Sequence, residues 1–129
     1  MAQSPVPKPT DAEVAILAVL WQRGPSTVRE VHEELRRSQP VRYTTTLKQM
    51  QVMFEKGLLH RDETARAHVY RPALPEERTL RQLTRHLLDQ VFGGSAEKLV
   101  VHALQARRAS PEELANIRQL LDKLEEGER

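Results

Sequence analysis

The chain has 129 residues, enough for one domain of ordinary size or two small ones, and its formal net charge is only +2. It contains no cysteine, which excludes disulfides, thiolate metal sites and cysteine nucleophiles. No apolar run approaches the roughly 18 to 20 residues of a membrane span, and no signal-peptide core follows Met1. We therefore expect a cytoplasmic protein without membrane insertion.

The charges are distributed unevenly along the chain. Eleven basic residues oppose eight acidic ones through Pro72, whereas nine oppose ten beyond it. The first part therefore carries +3 and the remainder −1. This asymmetry is weak, but it suits a polyanionic partner for the N-terminal part.

The N-terminal end is predicted to be a disordered arm followed by a helix. Residues 1–9, MAQSPVPKP, contain three prolines and no hydrophobic periodicity. Thr10 and Glu13 have the spacing of a capping box, in which the hydroxyl takes the third amide of the helix and the carboxylate reaches back. The sequence therefore predicts a first helix that begins after Thr10 and stops at the Gly24-Pro25 pair.

A second helix is predicted between Ser26, as its N-cap, and Pro40. Its apolar positions fall on one face. Arg29 and other charged residues are expected to form its solvated face.

The third predicted helix, about residues 43–57, has two different faces. The buried face is predicted to comprise Tyr43, Thr46, Leu47, Met50, Met53, Phe54 and Gly57. The outer face carries hydroxyls, amides and a lysine, which can exchange hydrogen bonds with base edges and phosphates. The candidate DNA-binding residues on and just before this helix are Arg42, Thr44, Thr45, Lys48, Gln49 and Gln51.

A β-hairpin is predicted after Gly57, which suits a left-handed helix C-cap. Residues 58–61 and 67–71 are predicted to form two short strands around a polar turn. Three helices followed by a hairpin within residues 10–72 is the order of a winged helix-turn-helix domain. In that architecture the third helix enters the major groove, and the hairpin, or wing, lies over the phosphate backbone. The basic candidates in the wing (58–72) are Arg61, Arg66 and Arg71.

Residues 73–129 are predicted to be helical again, in three short helices rich in leucine. Exposing such a seam would be costly, so pairing with a second copy is expected, with an intramolecular three-helix packing as the alternative. The candidate dimerisation residues are Leu80, Leu83, Leu87, Leu114, Ile117, Leu121 and Leu124. The predicted fold class is mainly α with a small β-hairpin: a winged helix-turn-helix domain plus a C-terminal helical dimerisation region.

Neither a metal site nor an enzyme is predicted. His60 and His68 lie on the two wing strands, but two ligands without a third make a poor zinc site. The other histidines, each isolated on a helix and interpreted as structural, are His32, His86 and His102. The serines are better explained as helix caps than as nucleophiles, and there is no glycine-rich phosphate loop. No cofactor, metal ligand or catalytic residue is therefore expected.

The alternative function is a winged-helix protein-interaction module without sequence-specific DNA binding. Such a domain would tend to carry acids or exposed apolar groups on the outer face of its third helix. That face instead begins with Thr44, Thr45 and Lys48, and Arg42 precedes it. This composition favours DNA.

With these segments placed, residues 10–125 resemble the BlaI/MecI-type penicillinase repressor family, whose relatives include copper-responsive CopY repressors. The most specific segments are YTTTLKQMQVMFEKGLL, RDETARAHVYRP, FGGSAEKLV and SPEELANIRQLL, in the family's order and spacing. The resemblance implies a homodimer in which the C-terminal helices hold the two chains together and the winged helices bind a palindromic operator in double-stranded DNA. It also implies a repressor, often of β-lactam-resistance or related stress genes, that is relieved when a membrane sensor-protease pathway cuts it.

Three features of the sequence depart from the family pattern. Aligning on Leu99-Val100 places His102-Ala103 where inducible members have the Asn–Phe bond that is cut. We therefore expect either cleavage at another bond within residues 95–110 or a different inducer. The cysteine cluster of the copper-responsive relatives is missing, and Val52 stands where better-known members carry an arginine.

Overall fold

The computed structural model describes residues 6–127, which form six helices and three short strands. In chain order these are α1 (Asp11–Arg23), β1 (Ser26–Thr27), α2 (Val28–Arg36), α3 (Tyr43–Lys56), β2 (Leu59–Asp62), β3 (Val69–Pro72), α4 (Glu76–Gln90), α5 (Ala96–Ala106) and α6 (Pro111–Gly127). The chain divides into two compact units, the first ending at Thr84 and the second beginning at Arg85. Among the helices of residues 6–127, none has both the length and the apolar character needed to span a bilayer.

The predicted fold class is confirmed, and the sheet has one strand more than the predicted hairpin. β1 pairs antiparallel with β3, which also pairs antiparallel with β2, so the sheet order is β1-β3-β2. Tyr70 in β3 lies opposite Ser26 on one side and Arg61 on the other. A two-residue strand such as β1 is too short to show alternation, so the sequence pattern predicted only the hairpin.

Capping boxes start the first two helices. The predicted box at α1 is confirmed: the Glu13 amide donates to the Thr10 hydroxyl (3.2 Å) and the Thr10 amide to the Glu13 carboxylate (3.0 Å). The predicted N-cap of α2 is wrong by one residue. Thr27 caps this helix, with Glu30 three residues later completing a second box, whereas the residue three positions after Ser26 is Arg29, which has no carboxylate to return the bond.

The core of the first unit lies between α1, α2, α3 and the sheet. Its buried apolar residues are Ile16, Leu17, Leu20, Val28, Val31, Leu35, Met50, Met53, Leu58, Leu59 and Tyr70. Gly57 ends α3 in the left-handed conformation (φ 85°), as predicted, and turns the chain into β2. The turn at Gly57 thus places the wing directly after the third helix.

The described part of the predicted arm contacts the first unit. Pro9 is buried, and Val6 packs against the core. The Val6 carbonyl also accepts a hydrogen bond from the Gln82 side chain of α4 (3.2 Å). Residues 1–5 of the predicted arm lie outside the described residues.

The second unit contains α5 and α6, each begun by a serine cap. Ser95 accepts from the Lys98 amide (3.1 Å), and Ser110 accepts from the Glu113 amide (3.0 Å). Within residues 85–127 every residue is exposed or only half-buried. Taken alone, this unit lacks a sealed core.

A partly buried ion pair joins the start of α1 to the end of α3. The Lys56 ammonium lies 2.8 Å from the Glu13 carboxylate, whose side chain is buried. Burial by itself would raise the pKa of Glu13, but the hydrogen bond from Lys56 and that from the Thr10 amide outweigh it and lower the pKa below 4.5. Glu13 therefore serves both the capping box and the α1–α3 contact.

We expect Glu13→Gln to lower the free energy of unfolding by about 1 kcal/mol near neutral pH. Glutamine can still accept the Thr10 amide, so the change removes the charge and spares the cap. Because the folded-state pKa of Glu13 lies below 4.5, the contribution is complete above about pH 4.5 and is lost as pH falls through the folded-state pKa. Urea unfolding at pH 7 and pH 4 measures both effects.

Glu55→Gln, at an exposed carboxylate of α3, is the matched control and should leave the urea midpoint unchanged. The variant difference for Glu13→Gln should shrink at the lower pH. Equal midpoints for wild type and Glu13→Gln at both pH values would contradict the role assigned to the ion pair.

Candidate nucleic-acid interface

The third helix is fixed by one face and exposes the other. Thr46, Met50 and Met53 have no exposed surface and point into the core. On the opposite side, Thr44, Thr45, Lys48 and Gln51 are exposed, Gln49 is half-buried, and Arg42 is exposed at the N-cap. The candidate residues of α3 are thus brought together on one accessible surface.

A polar contact behind α3 fixes its first turn. The buried His32 ring of α2 lies 3.3 Å from the Thr46 hydroxyl. The same ring meets Tyr43 edge to face, with centroids 5.5 Å apart and an angle of 87°. Tyr43 itself is 39% exposed and not buried as predicted, because it lies at the end of α3 beside His32 rather than over the core.

The three wing arginines differ in what their guanidinium groups contact. Arg66 and Arg71 are exposed. Arg61 lies over the Phe54 ring of α3 at 3.9 Å from the centroid, donates to Glu63 at 2.7 Å and approaches the Tyr70 hydroxyl at 3.5 Å. These contacts join β2 to α3 and to β3, so Arg61 is engaged within the protein.

The acidic turn of the wing is organised by its own hydrogen bonds. The Asp62 carboxylate accepts from the Thr64 amide (2.9 Å) and hydroxyl (2.7 Å). The backbone bond from Thr64, followed by the hydroxyl bond, lowers the pKa of Asp62. Since Glu63 pairs with Arg61, both acids of the turn are occupied by neighbouring wing groups.

A cleft of about 400 Å³ lies between the wing and the third helix. Its polar lining includes Arg29 of α2, Tyr43 and Gln51 of α3, and Arg66 and His68 of the wing. The Arg29 guanidinium lies 5.8 Å from the centroid of the Tyr43 ring. The sequence pattern predicts Arg29 only on a solvated face, because it does not reveal β1, whose pairing with β3 brings this end of α2 beside the wing.

A wider groove follows the turn between α2 and α3, with a volume of about 1060 Å³. Arg36, Arg42 and Thr45 contribute to its lining. Basic side chains therefore flank the exposed face of α3 on both sides.

The wing histidines do not form part of a metal cluster. His60 lies opposite Arg71 in the β2–β3 ladder, and His68 lines the cleft. Over the part of the chain that the structure describes, no three or more potential ligands lie close enough to hold a metal ion.

Comparison with known proteins identifies the family. Residues 9–123 match the family model described as penicillinase repressor. The chain belongs to the penicillinase repressor family. It is 33% identical over 119 residues to the transcriptional regulator BlaI of Mycobacterium tuberculosis, covering 91% of this chain and 85% of that protein. It is 24% identical over 117 residues to a penicillinase repressor of Bacillus licheniformis, covering 91% of each. The penicillinase repressor family comprises transcriptional regulators and not enzymes.

We expect Arg61→Ala to lower the melting temperature by roughly 2–5 °C, the size of shift that follows the loss of one modest interaction in a small domain. The reason is that the substitution removes the contacts with Phe54, Glu63 and Tyr70 together. Arg66→Ala, which removes an exposed wing arginine, is the control and should melt like the wild type. Thermal denaturation monitored by circular dichroism measures the three melting temperatures. Equal values for the wild type and both variants would show that Arg61 does not hold the wing.

Proposed function

We propose that the chain is a homodimeric repressor that binds a palindromic operator in double-stranded DNA through α3 and the wing. The observation that carries the proposal is the exposed polar face of α3, which is fixed from behind by a buried face and flanked by basic side chains. Residues 10–72 are the proposed DNA-binding domain and residues 73–129 the proposed dimerisation region. The regulators BlaI and penicillinase repressor, similar over 91% of the chain, support this function.

The proposed contacts fall into two groups. Thr44, Thr45 and Lys48 lie on the exposed face of α3, where hydroxyls and an ammonium can reach base edges in the major groove, and Gln49 and Gln51 flank them. The arginines proposed to position the protein on phosphates are Arg42, Arg66 and Arg71.

Two positions are expected to make no direct contact with DNA. Arg61 is assigned to holding the wing, since its guanidinium has three partners within the protein. Val52 is half-buried and offers no charge where better-known family members carry an arginine. The operator sequence is therefore expected to differ from theirs.

The proposed dimer rests on apolar side chains that the single chain leaves uncovered. Leu80 is 43% exposed, Leu87 42%, Leu121 52% and Leu124 59%, whereas Leu83, Leu114 and Ile117 are half-buried. Burying one leucine fully is worth roughly 1.5–3 kcal/mol, so covering this set would stabilise an association strongly. A two-fold pair also presents the same α3 surface to each half of a palindrome.

Relief of repression is proposed to separate the two DNA-binding domains of the dimer. The name penicillinase repressor, borne by one relative, supports target genes of β-lactam resistance. Related stress genes and a sensor-protease pathway are proposed from the family resemblance alone. In α5, His102 and Ala103 replace the family's cleaved pair, and the His102 ring packs at 5.8 Å from the ring of Phe92. We expect cleavage at another bond within residues 95–110, or a different inducer.

We expect Lys48→Ala and Thr45→Ala each to relax sequence preference by roughly 1–3 kcal/mol, since both would remove base contacts. Arg66→Ala should weaken binding to all sequences about equally and make the dependence of log K on log salt shallower by about 0.9. Selection from a random duplex library, followed by gel shifts at two salt concentrations, measures both quantities. A wild-type protein that selects no palindrome and whose affinity is indifferent to salt would instead favour the protein-interaction module.

We expect Leu121→Asp to dissociate the dimer, because it would bury an unpaired carboxylate in the interface. Gln119→Asp adds the same charge at an exposed polar position of α6 and should remain dimeric. Sedimentation equilibrium at micromolar concentration distinguishes the two. A wild-type chain that sediments as a monomer would refute the proposed assembly.

A further inference from the structure

We propose that the cleft between the wing and α3 seats a backbone phosphate of duplex DNA, held by Arg29 and Arg66, with Tyr43 positioning Arg29. This inference rests on the proposed function and adds a residue of α2 to the interface. It also places the phosphate at a stated location in the fold.

The location follows from the geometry of the two grooves. A recognition helix in the major groove and a wing over the adjacent backbone lie on either side of one DNA strand. That strand must therefore pass between α3 and the wing, where the cleft of about 400 Å³ lies. Since the cleft is open to solvent on the surface that carries the candidate residues, a phosphodiester can enter it without a rearrangement of the protein.

The cleft has the chemistry of a phosphate site. Arg29 reaches it from α2 and Arg66 from the wing, so two guanidinium groups approach it from different elements. Neither arginine has a carboxylate partner within 4.0 Å among residues 6–127. This distinguishes both from Arg61, which pairs with Glu63. Guanidinium groups are well suited to phosphate oxygens because they offer several donors in a fixed plane.

Tyr43 limits where Arg29 can go. The guanidinium stacks 5.8 Å from the Tyr43 ring centroid, and the ring is held edge-on by the buried His32, which itself contacts Thr46. A positively charged group over an aromatic face is attracted to it, so the long Arg29 side chain is biased toward the cleft. Tyr43 is therefore a positioning residue, acting through its ring.

The test measures binding of the full-length chain to a fluorescent random-sequence duplex of about three helical turns, over a range of salt concentrations. We expect Arg29→Ala to weaken binding about tenfold and to make the salt dependence shallower by about 0.9, the value of one phosphate contact. Selection from the random duplex library should return the same preferred sequence for Arg29→Ala as for the wild type. Tyr43→Leu should weaken binding by less than Arg29→Ala, and Tyr43→Phe, which keeps the ring, should restore it.

Two controls separate this role from net charge and from structure. Arg37→Ala removes an equal charge from the far end of α2, roughly 12 Å along the helix, where Arg37 pairs with Glu34, and should leave the salt dependence unchanged. In the Arg29→Ala background, Tyr43→Leu should have no further effect, because the ring acts only through Arg29. Melting temperatures of all variants confirm that each is folded.

The outcomes distinguish the inference from the proposed function. A wild-type chain that binds no duplex overturns both. Salt-dependent wild-type binding with an unchanged Arg29→Ala variant overturns the cleft and leaves the function standing. An equal effect of Arg37→Ala, or an Arg29→Ala variant with an altered sequence preference, also overturns it, since the first indicates net charge and the second a base contact.

Discussion

The orientation of α3 depends on three of its side chains that have no exposed surface, Thr46, Met50 and Met53. The methionines place the helix on the core, but apolar burial alone tolerates small rotations. The Thr46 hydroxyl is more demanding, because a buried hydroxyl requires a partner in a defined direction, and His32 supplies it at 3.3 Å. The ion pair between Glu13 and the end of α3 fixes the other end. With both ends held, the polar outer face of α3 has one orientation relative to the wing.

The wing packs against the same helix. Its arginines therefore have different roles, depending on whether they contact α3. Arg61 stacks on Phe54 of α3, so the guanidinium nearest the helix holds the hairpin in place. Arg66, farther along the hairpin, remains exposed and lines the cleft opposite Arg29. A count of arginines in the wing segment therefore overstates the charge available to a polyanion. Position relative to α3 decides which arginine is structural and which is accessible.

Much of the fold could be predicted from the sequence because its signals are local. The capping box at Thr10 and the left-handed Gly57 each act within a few residues and are found as predicted. The period of α3 correctly predicts Thr46, Met50 and Met53 as buried, but Tyr43 and Gly57 at its two ends, also predicted on the buried face, are exposed. The features that could not be predicted depend on residues far apart in sequence. β1 becomes a strand only by pairing with Tyr70, and this pairing brings Arg29 beside the wing. Likewise, the stacking of Arg61 on Phe54 has no signature in either segment alone.

The charge balance favours the proposed pairing of two copies. A formal net charge of +2 gives little long-range attraction to DNA, and the acids Asp62 and Glu63 lie in the wing itself. Affinity for DNA must then come from a few local contacts, and a single DNA-binding domain offers too few of them for high affinity. When two DNA-binding domains are linked, the second one binds intramolecularly, which can raise affinity by roughly 10²–10⁴-fold without any new interaction. The uncovered leucines of the C-terminal helices are the feature of this chain that could provide the link. Weak binding by each single domain would also make repression sensitive to any event that separates the two domains, because the gain in affinity from their linkage would then be lost.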